Sequence, residues 1–227
     1  MKRFFVFVIL TSISLCAVFG QVKESRLLSD FNGISIGEAI HLTLIPGDKN
    51  EAVLTVENID LADVQTEVRG SNLKIGLEGG RHRNVKVFVS LTYKSIEEIS
   101  VSSAADVITQ GPIKSDAFDI SVSSAGSAKL EIDAKEIEVA VSSAGDLSLT
   151  GKCISQRIEV SSAGEYNGYE LACETSYVRV SSAASAKVVA SKQIDAKANS
   201  AGSIRYKGNP QKVYVSANSG GHVKKAN

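Results

Sequence analysis

The sequence of 227 residues has no tryptophan, only three histidines, and aromatics at 6%. A bulky, aromatic-anchored core is therefore not expected. Small and β-branched residues carry the apolar content, which suits thin, repetitive layers. After the first twenty residues no stretch reaches eighteen apolar residues, so no later segment is expected to cross a bilayer as a helix. No GxSxG, HExxH, CxxC or P-loop pattern occurs, so no motif points to a catalytic centre, a metal ion or a cofactor. The chain also lacks a basic run, which gives no electrostatic case for nucleic acid or anionic lipid.

What is present begins with a leader. Lys2 and Arg3 precede an apolar run from Phe4 to Leu15, and Val18, Phe19 and Gly20 offer a cut before Gln21. Residues 1–20 read as a signal peptide. Cys16 leaves lipid attachment open as a second route, although Leu15 before it is larger than that cleavage prefers. Without Lys2 and Arg3, 25 − 2 = 23 basic residues face 25 acidic ones, a net charge of −2.

A repeat dominates the remainder. SSAA begins at Ser102, SSAG at Ser123, Ser142 and Ser161, SSAA at Ser181, NSAG at Asn199 and NSGG at Asn218, with spacings of 21, 19, 19, 20, 18 and 19 residues. Before the copies, apolar residues alternate: Ile99 and Val101, Ile120 and Val122, Val139 and Val141, Ile158 and Val160, Val178 and Val180. Period-2 alternation marks a strand with one buried face. The glycines at 126, 145, 164, 202 and 221 are expected to supply the backbone freedom of a tight corner. One repeat then reads as strand, corner, strand, turn and return. No such unit can bury its apolar face alone, so about seven coils must stack into a solenoid. The alternation also predicts that the second serine of each motif, Ser103 through Ser219, points inward as a hydroxyl column.

The same register places Cys153 and Cys173 at like positions on adjacent coils, eleven and twelve residues after Ser142 and Ser161. They are candidates for a disulfide, with a pair of buried thiols as the alternative. Ahead of the array, alternating segments from Ile34 to Val89 lack the motif spacing. Residues 21–95 are expected to form capping strands and residues 96–227 the repeat coils.

The stretch FNGISIGEAIHLTLIPGDKNEAVLTVE from Phe31, then GSNLKIGLE from Gly70 and the SSAG array, resembles the DUF2807 family of auto-transporter adhesin head domains, also called GIN domains. The family's Gly-Ile-Asn triplet stands here as Gly33-Ile34-Ser35. The resemblance covers about 28–215 and implies an all-β, right-handed parallel β-helix of a Gram-negative bacterium with a role in adhesion. It also implies a likeness to pectin lyases without their catalytic residues.

The position after each tetrapeptide is Asp106, Ser127, Asp146, Glu165, Ser185, Ser203 and His222, which stacks Asp146 on Glu165. Paired carboxylates can hold a cation or bracket a glycosidic bond, but acidic residues at turns are commonly just solvated. Tyr166, Tyr169 and Tyr177 lie in one coil and suggest a sugar-stacking surface, while Tyr in strands also needs no ligand. These five residues are the candidate ligand surface. The expected protein is an exported, non-enzymatic adhesion module whose partner is a glycan or a cell-surface protein, located in the periplasm, on the outer membrane or outside the cell. An envelope scaffold and a polysaccharide-active enzyme remain the alternatives. The tail after Val215 carries no sorting motif or barrel, so any anchor is expected elsewhere.

Overall fold

The computed structural model describes residues 22–79 and 84–226; the leader, Cys16 and His82 lie outside the described residues. The strands of the first half are β1 Val22–Leu27, β2 Gly33–Ile36, β3 His41–Pro46, β4 Glu51–Glu57, β5 Val64–Arg69, β6 Asn72–Leu77, β7 Lys86–Tyr93, β8 Glu98–Val101 and β9 Asp106–Thr109. The coils continue as β10 Ile113–Val122, β11 Ser127–Val141, β12 Asp146–Val160, β13 Glu165–Val180, β14 Ser185–Val189, β15 Gln193–Ala198, β16 Ser203–Lys207, β17 Lys212–Ala217 and β18 His222–Lys225. A single 3-10 turn, Leu61–Asp63, is the one helical element among the described residues.

Parallel ladders stack these strands into a β-solenoid. Ahead of the corner the order is β6, β2, β8, β10, β11, β12, β13, β15, β17. After the corner it is β7, β3, β9, β11, β12, β13, β14, β16, β18. The coil made by β2 and β3 is therefore second in the stack, because the chain loops back to lay β6 and β7 beneath it. Antiparallel β5 on β6, and β4 then β1 on β7, close that end.

The corners explain why the sequence repeats. In each, the second and third motif residues take left-handed backbone angles, such as φ 51° at Ser143 and 58° at Ala144. The fourth residue then donates its N–H to the first residue's carbonyl, as Gly145 does to Ser142 at 2.9 Å. The left-handed alanine donates instead to the next coil: Ala144 N to Ser162 O at 3.1 Å, Ala163 N to Ser182 O at 3.0 Å. Left-handed angles at non-glycine residues cost about 1 kcal/mol each, and the two hydrogen bonds per corner offset that cost. Gly37-Glu38-Ala39-Ile40 forms an eighth corner of the same kind, with φ 63° and 56° and Ala39 N on Ser103 O at 2.9 Å. It carries no serine, which is why the motif spacing passes over it.

Two expectations change here. The second serines do not point inward: Ser103, Ser124, Ser143 and their equivalents are exposed, and the fourth motif residue is buried in their place in every corner but the last, where Gly221 is half-buried. Two left-handed residues in succession reverse the chain, so the strand alternation does not carry through the corner. The glycines matter for space and not for φ. A Cβ at Gly145 would lie 2.8 Å from Val122 O of the coil below, and one at Gly202 would lie 2.7 Å from Val180 O.

Interior columns run the length of the stack. Val101, Val122, Val141, Val160, Val180 and Ala198 form one, and Ala128, Leu147, Tyr166, Ala186 and Ile204 form another, all at most 2% exposed. Each aliphatic side chain removed from water contributes about 1.5–3 kcal/mol.

Candidate functional site

Strand alternation and in-register stacking line outward side chains into columns about 4.8 Å apart. The column just past the corner reads Phe88, His41, Asp106, Ser127, Asp146, Glu165, Ser185, Ser203, His222. Asp146 and Glu165 are exposed register neighbours within it. His41 and Phe88 stack their rings at 5.1 Å, and His41 Nδ1 lies 3.6 Å from Asp106 Oδ2. Among the described residues no group of three or more His, Cys, Asp or Glu side chains is placed to hold a metal ion.

The three tyrosines do not share a surface. Tyr166 sits in an interior column and is 1% exposed, so it is not available to a ligand. Its phenol donates to Gln156 Oε1 at 2.8 Å, and Gln156 Nε2 donates to Ser176 Oγ at 2.8 Å. Ser176 Oγ completes the chain by donating to Val189 O at 2.9 Å. Burial, with the Cys153 and Cys173 sulfurs nearby, pushes the Tyr166 phenol well above its ordinary range. Gln156 and Ser176 replace the Phe118 and Ile137 of earlier coils in one interior column, so this network is specific to the middle of the stack.

Tyr169, three residues past the buried Tyr166, turns outward by strand alternation and lies at a bulge. The register passes from Ser148 opposite Asn167 to Thr150 opposite Glu170, so Gly168 and Tyr169 face one residue of the neighbouring coil. Lys207 Nζ lies 4.5 Å above the Tyr169 ring. Tyr177 emerges on the other side of the corner, with the Arg157 guanidinium 5.4 Å from its ring centre.

A wide concavity lies elsewhere. An open groove of 740 Å³ crosses the third face of the solenoid, walled by Lys114, Asp133, Lys135, Lys152, Ile154 and Glu174 among others. Ion pairs tie successive coils along it: Lys135 Nζ to Asp116 Oδ1 at 2.8 Å, Lys152 Nζ to Asp133 Oδ2 at 3.2 Å and Lys192 Nζ to Glu174 Oε2 at 2.6 Å. Donation to Asp116 holds the Lys135 ammonium above its ordinary pKa. Ile154 stands 53% exposed between these rungs. The signal for the groove was present in the repeat, because Asp133 and Lys152 each fall ten residues after their motif's first serine.

Cys153 lines the groove, and Cys173 is its neighbour on the next coil. They are register neighbours on adjacent coils, buried, and free thiols with sulfurs 2.7 Å apart. Donation to Cys173 and burial push the Cys153 thiol far above its ordinary pKa. Cys173, as acceptor, is held below it.

Known proteins set this geometry in context. A structure from Bacteroides fragilis described as a "putative adhesin" superposes with a TM-score of 0.82 at 19% identity, covering 91% of this chain and 97% of the other. A "putative adhesin" from Parabacteroides merdae gives 0.74 at 18%, covering 91% and 96%. A "putative lipid binding protein" from Parabacteroides distasonis gives 0.72 at 19%, covering 91% and 97%. At these identities the likeness shows a common fold. A search of the curated proteins finds no match. The family described as "Putative auto-transporter adhesin, head GIN domain", DUF2807, matches residues 30–210, and with the stacked coils and corners described above, this chain belongs to it.

Proposed function

We propose that the protein is an exported adhesion module that holds an extended polar ligand, a glycan or a surface peptide, in the groove of its third face without cleaving it. The observation that carries the reading is the groove itself. It runs across four coils, is lined by alternating cations and anions, and exposes one apolar side chain, Ile154, at its centre. Alternating donors and acceptors at a fixed pitch suit a repeating polymer, and Ile154 offers the apolar contact that a sugar face or an alkyl group needs. The family's adhesin description and the leader at residues 1–20 support a surface location.

Retention on immobilised host and bacterial polysaccharides tests the assignment. Ile154→Asp and the double change Lys135→Ala, Lys152→Ala should each weaken retention about tenfold, a loss of about 1.4 kcal/mol. Both lie on the surface, so melting should stay close to that of the parent. A loss confined to Tyr169→Ala or Asp146→Asn variants would move the contact to the other faces.

Export also bears on the cysteines. We infer that Cys153 and Cys173 are joined in the exported protein, two thiols giving up two protons and two electrons to the oxidant of that compartment. Their place on adjacent coils needs no rearrangement of the stack. Free-thiol titration under denaturing conditions should find none in protein isolated from its export compartment and both after reduction. Removing the bond through Cys173→Ser should cost about 3 kcal/mol, the value for a closed loop of this size.

A further inference from the structure

Stacking gathers charges that the sequence keeps apart. Lys187, Arg205 and Lys224 stand 18 and 19 residues from one another, so no basic run marks them. In the fold Lys187 is the register partner of Arg205, and Arg205 of Lys224, on β14, β16 and β18. Each follows a residue packed on the core (Ala186, Ile204 and Val223), and so points outward from the face after the corner. Successive cations are one coil apart, about 4.8 Å in backbone spacing. Lys207 extends the patch: it leaves the same face two residues past Arg205, and its Nζ sits over the Tyr169 ring.

Among the described residues nothing neutralises this column. The strands that carry it, residues 185–189, 203–207 and 222–225, hold Lys187, Arg205, Lys207, Lys224 and Lys225 and no aspartate or glutamate. On the coils below, the same face carries Asp106, Glu131, Asp146, Glu165 and Glu170 against Lys129. Glu165 comes closest in register, opposite Ser185 and diagonal to Lys187. Among the described residues no ion pair joins a carboxylate to Lys187, Arg205 or Lys224. Like charges set opposite one another across strands are destabilising. The carboxylate column of Glu98, Asp119 and Glu138, on the face before the corner, continues into the cation Arg157. The cationic column meets only Asn167 below Lys187.

We propose that Lys187, Arg205 and Lys224 bind an anionic glycan, one whose sulfate or carboxylate groups recur along the polymer, at a site separate from the groove. A line of cations at fixed pitch matches charges carried on a chain, and their unopposed potential draws such a chain in. Arg205 at the centre offers a planar fork for two-point contact with an anionic group, while the lysines on either side act as point charges. Ser185 and Ser203, partly buried in the neighbouring column, supply hydroxyls for sugar oxygens. A bilayer surface fits less well. None of the exposed large apolar side chains among the described residues lies on β14, β16 or β18, so this face has no anchor to insert. Single-stranded nucleic acid needs open aromatic faces for its bases, and Lys207 lies across the Tyr169 ring.

Retention of the purified protein on immobilised heparin, polygalacturonate and neutral dextran tests the proposal. Retention is expected on heparin, on polygalacturonate or on both, the pair telling sulfate from carboxylate recognition, and not on dextran through this face. It should weaken at least about tenfold between 0.05 M and 0.5 M salt, where the screening length falls several-fold. Lys187→Gln with Arg205→Gln should weaken it about tenfold or more. Lys23→Gln with Lys74→Gln removes equal charge from β1 and β6 and should leave it unchanged. The Lys187, Arg205 variant should melt no lower than the parent, because its loss of charge relieves stacked repulsion. No retention on either polyanion overturns the proposal, as does retention that survives Lys187→Gln with Arg205→Gln. Equal losses in the two double variants would mark bulk charge and overturn it too. So would a preference for anionic vesicles or single-stranded DNA over both charged glycans.

Discussion

Gly151→Val should destabilise the protein by about 4 kcal/mol or more, enough to unfold most of the stack. Gly151 holds φ at +106°, a region that β-branched side chains do not enter. A Cβ there would also fall inside the van der Waals shell of Ile132 O on the coil below. Neither conflict relaxes cheaply, since the obstructing atom is backbone in a parallel ladder on both sides. Coils stack as a one-dimensional array, so displacing β12 weakens its contacts with β11 and β13 together. Gly208 has the same geometry against Ala190 O but lies near the open end, where fraying limits the loss. Gly70→Ala is the control. Its φ is +63° with no heavy atom within 4 Å of the added Cβ, so the cost should stay near the left-handed penalty of about 1 kcal/mol. Urea titrations of the three variants measure the order.

The second large effect is Tyr166→Ala, with an expected loss of about 4 kcal/mol in the same titrations. The ring fills an interior column between Leu147 and Ala186, and its hydroxyl is the donor that satisfies Gln156 Oε1. Truncation removes the packing and breaks a buried polar chain at once. Tyr166→Phe separates the two terms. It keeps the ring, leaves the Gln156 carbonyl without that donor, and should cost about 1–2 kcal/mol. Ligand retention should be unchanged in Tyr166→Phe, since a side chain inside the coil touches no ligand.

Much of this was legible in the residues. The SSAG spacing and the alternation before it fix the stacked coils, their register and the adjacency of Cys153 and Cys173. The corner hid its own mechanism. Serine and alanine carry the left-handed angles there, and period-2 logic applied through two such residues turns the serines the wrong way. The coil of β2 and β3 escaped because Gly37-Glu38-Ala39-Ile40 builds the same corner without a serine, and its place in the stack depends on long-range pairing with β6 and β8. Tyr166 and Tyr169 are three residues apart in one coil, an odd step that strand alternation already sends to opposite faces, and a one-residue bulge in the register sits beside Tyr169. That bulge is visible in the sequence only as a spacing of 20 in place of 19.

The central claim is that the outer surface of this solenoid holds a ligand without transforming it. The most direct measurement incubates the purified protein with the polysaccharide panel and scores retention together with new reducing or unsaturated ends. Retention with no new ends is the predicted result. New ends that vanish in Asp146→Asn or Glu165→Gln would contradict it and make that in-register carboxylate pair the working site.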